Sequence, residues 1–454
     1  MGNLIIAEKT SAAIRIASSL SDGKVSKVKY GSSYILRFTK DGNEYSVLPL
    51  RGHIIEIDFP KEYRDWKIDN LKEMAKLEPK ENIKFKGLDF VLKKLNQEND
   101  EVIVATDYDR EGELIGVEAL RLMERENGIK RAKFSALTKS ELMQSFENLG
   151  NVDYNLADSA EAREIIDLLW GATLTRFFSI ETKRLGYEFV SVGRVQSPTL
   201  TILVKREKEI RNFIPEIFYE LSITINGCEF KYTGNPIKAK EDGEKLLERI
   251  SHSDKASVKE INENTRSLYR PIPFSTTEFL KEANRLGISV EKAMAIAEAL
   301  YQHGKISYPR TDNTVYPRSL NLKSILLNLE DSYLKDSIKT VMGESRLIPS
   351  RGKVETTDHP PIYPTSPIRK SELKGDYFKI YDLIARRFIS TLAENAEISE
   401  REFKAQTGGL EFTYTSSKVM KEGWLKYYPI IYYRERVDPQ LEIGREYEFH
   451  DPVL

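Results

Sequence analysis

The chain has 454 residues, more than one hydrophobic core usually serves, so about two to four domains are expected and the length argues against a single large globule. Its 69 Lys and Arg balance 70 Asp and Glu, for a formal net charge of -1, which argues against a protein that coats nucleic acid by electrostatics alone and leaves room for local basic clefts. One cysteine, Cys228, excludes an intrachain disulfide and a Cys-Cys zinc ribbon, and its place in an alternating Leu221–Phe230 run makes it a small, partly buried strand residue.

The start, Met-Gly-Asn-Leu-Ile-Ile-Ala-Glu-Lys, lacks the basic and apolar regions of a signal peptide, and no stretch has the length to span a bilayer. The expectation is a soluble intracellular chain without a membrane partner. Asn3–Ala7 reads as a strand ending at Glu8, and Ala12–Leu20 as the amphipathic helix that follows. The syntax recurs at Glu101–Thr106, a β-branched strand, then the acidic segment Asp107–Glu113 and a helix over Leu114–Arg125. Two such units predict an α/β domain whose ligands collect beyond the strands' carboxyl ends, where Glu8 and the acidic segment could meet.

From Leu156 to Phe213 the pattern is helical, interrupted at Phe189–Ser197. Ile217–Tyr232, Val258–Ile261, Arg401–Tyr414 and Trp424–Val437 alternate as antiparallel strands, separated by a helical insert. The insert opens with prolines at 271 and 273. Phe279, Leu280, Ala283 and Leu286 follow at helical spacing, Gly287 ends that helix, and Ser289 caps a second one carrying Ala293, Ile296, Ala297 and Leu300. Helix, glycine turn, helix is the helix-turn-helix pattern, though plain helical packing uses it more often. It leads into Lys305–Asp312, read as a strand presenting Tyr308. Ser251–Arg266 and Ser366–Gly375 read as hinges.

Tyr308, fixed by Pro309 with Arg310 next, has the form of a nucleophile beside a phosphate-binding cation; the bland alternative is a strand ending at a proline turn. Asp107, Asp109 and Glu111 alternate, so an extended backbone would turn all three to one side around a hard divalent cation, magnesium first. Asp107, Asp109, Gly112 and Glu118 also nearly fit a calcium loop, which would need a helix where the pattern shows a strand, and an acidic helix start accounts for one or two of the carboxylates. Gly193-Arg194-Val195-Gln196-Ser197 could lay an arginine and an amide along a phosphate backbone, or lie at the surface. His359, stiffened by Pro360 and Pro361, could donate to a phosphate oxygen or belong to a structural turn.

Together these motifs resemble the type IA DNA topoisomerases. Ile6-Ala7-Glu8-Lys9 and Asp107-Tyr108-Asp109-Arg110-Glu111-Gly112 resemble the two acidic signatures of that family's Toprim domain. Phe274-Ser-Thr-Thr, Glu282-Ala-Asn-Arg-Leu-Gly287 and Ser307-Tyr308-Pro-Arg310-Thr-Asp312 resemble its tyrosine domain in register, and Gly193–Ser197 and Asp358-His359-Pro-Pro fall in family order. Ala7-Glu8-Lys9-Thr10-Ser11 and Asp358-His359-Pro-Pro look closer to topoisomerase III and archaeal members.

The resemblance covers essentially the whole chain and implies a multidomain α/β + α + β protein of toroidal architecture. Its parts would be a Toprim domain at 1–150, a helical gate domain at 151–213, the first part of a β-rich arch at 214–265, a tyrosine domain at 266–365 and the second part of the arch at 366–454. It implies transient cleavage of single-stranded or negatively supercoiled DNA through a 5′-phosphotyrosine on Tyr308, and rejoining without ATP. Arg310, Lys9 and Glu8 would assist, magnesium would sit on Asp107, Asp109 and Glu111, and Arg194, Gln196, His359 and Arg163 would hold the DNA. No zinc is expected, and the location implied is the cytoplasm, with the nucleoid. Family members continue past the second group of arch strands, so a split or truncated form completed by a missing C-terminal subunit is one alternative. A Toprim nuclease or primase-like enzyme without a covalent tyrosine is the other.

Overall fold

The computed structural model describes residues 2–31, 33–344 and 346–454. Its chain folds as two compact units, each discontinuous in sequence: Met1–Arg211 with Phe274–Arg318 and Lys353–Asp382, and Asn212–Pro273 with Ser319–Gly352 and Leu383–Leu454.

In the first unit the apolar run after Gly2 forms β1 (Gly2–Ala7), in which Leu4, Ile5, Ile6 and Ala7 are wholly buried. Three antiparallel-connected strands follow, β2 (Ser26–Tyr30), β3 (Ser33–Lys40) and β4 (Asn43–Pro49). A small ribbon pairs β5 (Ile55–Asp58) with β6 (Lys80–Ile83), and β7 (Glu101–Val104) and β8 (Ile129–Arg131) complete the set. The main sheet runs β2-β3-β4-β1-β7-β8, with β1 parallel to both β4 and β7. Burial on both faces explains why β1 and β7 read as continuous apolar runs. Ile6 lies opposite Val104, so Glu8 and Asp107 leave the same edge of the sheet from adjacent strands.

The helix after β7 spans Arg110–Met123, starting four residues before the expected Leu114. Asp109 is the reason: its Oδ1 accepts the Gly112 N–H at 2.7 Å, a side-chain cap that opens the helix inside the acidic segment. The expected extended backbone through Glu111 is therefore not formed. Two long helices, Tyr154–Glu181 and Gln196–Asn212, follow the expected pattern and interruption.

In the insert, Ser275 caps the helix Thr276–Arg285 and Ser289 caps Val290–Gln302, each accepting an N–H three residues on. Gly287 turns between them at φ +77°, a conformation a side chain rarely adopts, while the Ile288 N–H returns to the Ala283 carbonyl at 3.2 Å. Lys305–Arg310 is not the expected strand. It is irregular chain stitched by an Ile306–Pro364 bridge, by Ser307 N–H to the Tyr363 carbonyl at 2.9 Å and by Tyr308 N–H to the Ser135 carbonyl at 2.8 Å.

The second unit is a closed six-stranded barrel of β9 (Ser222–Ile225), β10 (Cys228–Tyr232), β11 (Lys255–Leu268), β12 (Ala396–Thr407), β13 (Leu410–Lys421) and β14 (Glu446–Val453), in the order β10-β13-β12-β11-β14-β9. Cys228, buried and unpaired, sits in its core with Ile223, Phe230, Phe403 and Phe412. Two expectations fail here. The supposed hinge Ser251–Arg266 is mostly β11, polar because its distal half pairs with β12 through exposed ion pairs, Glu260–Lys404 at 2.7 Å and Arg266–Glu400 at 2.9 Å. Trp424–Val437 is not a strand: Gly423, at φ +50°, opens a short 3-10 turn, and Trp424, Tyr427 and Tyr428 are buried as anchors. No described helix is long and apolar enough to cross a membrane.

Candidate active site

The site grows from the loop after β7, and a buried arginine holds that loop. Arg131, wholly buried at the end of β8, pairs through Nε with Glu113 at 2.7 Å. Its other nitrogens donate to the carbonyls of Thr106 at 2.9 Å and Asp107 at 3.0 Å. This fixes the backbone that carries Asp107 and Asp109. Gly112 closes the loop from the helix side: a Cβ there would stand 2.1 Å from the Asp107 carbonyl oxygen. Gly112→Ala should therefore cost about 1–3 kcal/mol and shift the acidic loop, to be read by thermal unfolding.

Asp107 is buried, accepts the Tyr301 hydroxyl at 2.9 Å and lies 3.6 Å from the Lys9 ammonium. Burial, reinforced by the charge of Glu8, pushes its carboxyl well above the usual range, and Lys9 and Tyr301 offset this only in part. Lys9 also meets Glu298 at 2.8 Å and Glu8 at 3.2 Å. Burial acts to lower its pKa, but Glu8, Asp107 and Glu298 outweigh that and hold it protonated. Three carboxylates thus surround one ammonium.

Tyr308 is buried, and its hydroxyl donates to Asp109 Oδ2. Burial, then the charges of Asp109 and Asp107, raise its pKa beyond the ordinary phenol range, with Arg310 acting the other way. The group is a neutral phenol with a carboxylate already on its proton. Its ring meets Tyr301 edge-on at 5.1 Å between centroids and His359 at 4.4 Å. Arg310, more exposed, lies 3.9 Å from Glu298.

His359 is buried, with Nδ1 2.9 Å from Ser135 Oγ and Nε2 buried without a partner. If Ser135 donates to Nδ1, Nε2–H is a donor in want of an acceptor. Burial pushes this imidazole down to about 4 from its usual 6.5. The folded state then binds fewer protons than the unfolded one, so this contribution is whole above pH 6.5 and is lost as pH falls from there towards 4. The unfolding midpoint of His359→Gln should consequently fall less steeply than that of the wild type across that interval.

Of the three carboxylates expected around one cation, two adjoin the tyrosine. Glu111, in the first helical turn, points elsewhere: one oxygen accepts Arg163 Nη1 at 2.7 Å and the other lies 3.2 Å from His53 Nε2. The calcium loop is excluded, since a strand precedes Asp107 and Glu118 Oε2 is taken up by the N–H groups of Ile54 at 2.8 Å and Ile55 at 3.2 Å. Asp107 and Asp109 supply hard oxygen donors, and the excess of carboxylates over Lys9 fits a divalent cation.

Arg163, Arg194 and Gln196 line one open groove of about 530 Å³ with Gly193, Leu200 and Leu203. Arg194 pairs with Asp167, and Gln196 donates to Ser191 Oγ at 2.9 Å. Sequence reasoning missed Glu298, Tyr301, Ser135, His53 and Arg131. Glu298 and Tyr301 stand one turn apart on the helix Val290–Gln302, and the Tyr301 side chain is among the largest fully buried. Nothing in the periodicity marks Glu298 or Tyr301 as site residues rather than ordinary positions of a packed helix.

A parallel-centred sheet with its acidic loop at the carboxyl edge is the architecture of a Toprim domain, and a Toprim family model matches residues 3–137. A family model described as DNA topoisomerase matches residues 151–452. The chain is 48% identical over 430 residues to DNA topoisomerase 1 of Thermoplasma acidophilum, covering 94% of this chain and 55% of that protein. With DNA topoisomerase 1 of Archaeoglobus fulgidus it shares 42% identity, over 94% of this chain and 64% of the other. Human DNA topoisomerase 3-alpha is 28% identical over 98% of this chain and 46% of its own length. Full-length topoisomerase I from Thermotoga maritima matches as a structure with a TM-score of 0.75 and 25% identity, over 98% of this chain and 70% of that one. The chain belongs to the type IA DNA topoisomerase family. It spans about half to two thirds of the length of the curated relatives it matches.

Proposed function

We propose that this chain cleaves and rejoins single DNA strands as a type IA topoisomerase, with Tyr308 as nucleophile. The observation that carries the proposal is the Tyr308 hydroxyl donating to Asp109, with Arg310 and the unpartnered His359 nitrogen near the phenol and Lys9 beside the neighbouring Asp107. Tyr308 Oη forms a bond to phosphorus as the bond to the 3′-oxygen breaks, and the phenol proton passes to Asp109. Glu8, beside Lys9, relays a solvent proton to the leaving 3′-oxygen and takes it back on rejoining. Lys9 and Arg310 stabilise the charge that builds on the phosphoryl oxygens, and His359 Nε2–H donates to one of them. The phosphodiester's energy is kept in the tyrosine ester, so ATP is not needed.

We assign magnesium to Asp107 and Asp109, where the ion would neutralise phosphate charge for rejoining. Glu111, the third carboxylate expected there, is engaged by Arg163 and His53. Arg163, Arg194 and Gln196 would track the backbone of single-stranded or negatively supercoiled DNA.

A second reading is that strand passage needs a further helical segment or subunit. It is favoured by the helix Gln196–Asn212, which has no buried residue and exposes Leu200, Ile202, Leu203 and Ile210. Incubation with negatively supercoiled plasmid and magnesium, without ATP, separates the two. Relaxation supports the full activity; nicked, protein-linked plasmid without relaxation selects the second reading, and neither product contradicts both.

A further inference from the structure

We infer that His53, Glu118 and Glu164 form a second metal centre, for a divalent transition-metal ion such as zinc, apart from the magnesium assigned to Asp107 and Asp109. The three residues come from the turn after β4, the middle of the helix Arg110–Met123 and the helix Tyr154–Glu181. Their nearest ligand atoms all lie within 4.8 Å of one another.

His53 Nδ1 is 2.9 Å from Glu118 Oε1 and 3.6 Å from Glu164 Oε1. Bonds of about 2.1 Å meeting at tetrahedral angles separate ligand atoms by about 3.4 Å, so the His53–Glu164 spacing fits an edge of a zinc site and the His53–Glu118 spacing would open by about 0.5 Å. Small shifts would seat an ion among the three, leaving a position for water.

The surroundings orient each ligand. Without an ion, His53 Nδ1–H donates to Glu118 Oε1 at 2.9 Å while Nε2 faces Glu111 Oε2 at 3.2 Å; an ion would displace the Nδ1 proton and take that lone pair, and Nε2–H would keep its carboxylate. Glu111 is itself anchored by Arg163 at 2.7 Å. Glu118 is buried, and its Oε2 is fixed by the N–H groups of Ile54 and Ile55, which presents Oε1 to the imidazole. A carboxylate behind a ligating histidine and a ligating carboxylate whose other oxygen is held by backbone donors are what a built metal site requires. The donor set, one imidazole nitrogen with two carboxylates, suits zinc better than magnesium, which prefers oxygen alone. An ion here would pin the turn after β4 and both helices, and with them Glu111 and Arg163.

The test uses the full chain, stripped of metal and titrated with cobalt(II) in excess magnesium, which fills oxygen-only sites. The expected result is one equivalent of cobalt with the visible absorption of a four- or five-coordinate N/O site, displaced by zinc. His53→Gln and Glu164→Gln should each weaken that binding at least tenfold, while Asp109→Asn leaves it unchanged. Each variant is scored only if it unfolds cooperatively, and Glu164→Asp replaces Glu164→Gln if the latter does not. No such absorption, binding that survives in either ligand variant, or binding lost in Asp109→Asn would overturn the inference.

Discussion

Tyr308→Phe should abolish covalent attachment to DNA, lowering cleavage by at least about 10⁴-fold while the protein stays folded. The substitution removes one oxygen and keeps the ring, so the contacts to His359 at 4.4 Å and Tyr301 at 5.1 Å persist. What disappears is the hydroxyl proposed to attack and its hydrogen bond to Asp109. Leaving Asp109 short of one donor costs about 1 kcal/mol, too little to unfold the domain. DNA binding, measured by fluorescence anisotropy, should change little, because the groove of Arg163, Arg194 and Gln196 is untouched. A Phe variant that still cleaves without an adduct would select the Toprim nuclease alternative.

The second large effect is on stability. Arg131→Met should cost about 3–5 kcal/mol, because it leaves Glu113 buried without its counter-charge and unfastens the carbonyls of Thr106 and Asp107. Denaturant unfolding of the wild type, Arg131→Met and the double variant Arg131→Met/Glu113→Gln forms the check. The double variant should recover part of the loss, since it removes the stranded charge. It should not recover adduct formation, because the loop remains unfastened. A single-variant loss below about 1 kcal/mol would mean that the pair does not hold the acidic loop.

The two strands that carry the site were legible from side-chain periodicity, the apolar runs before Glu8 and Asp107 being the buried central strands, whereas the flanking strands β2 to β4 and β8 were not read. The meeting of Glu8, Lys9 and Asp107 followed from two parallel strands ending at one edge. The extended backbone through Glu111 was misread, because alternation assumes extended chain whereas the Asp109 cap starts a helix and turns Glu111 towards Arg163 and His53. In the barrel, Val258–Ile261 was read as strand, but the rest of β11 was taken into a hinge because cross-strand ion pairs make a strand look like polar linker. The partners Glu298, Tyr301 and His53 lay beyond reach, since each acts through a contact distant in sequence. Buried Arg131 was hidden for the same reason: only the fold shows that its counter-charge is internal.

The most direct measurement of the central claim is incubation of the wild-type chain with single-stranded DNA labelled at its 3′ or its 5′ end, with and without magnesium. A denaturing quench and gel follow, with Tyr308→Phe run beside it. The 3′-labelled fragment should become linked to the wild-type protein through its new 5′ end, and the variant should link to neither. A link to the 5′-labelled fragment, or an adduct that survives in Tyr308→Phe, would contradict it.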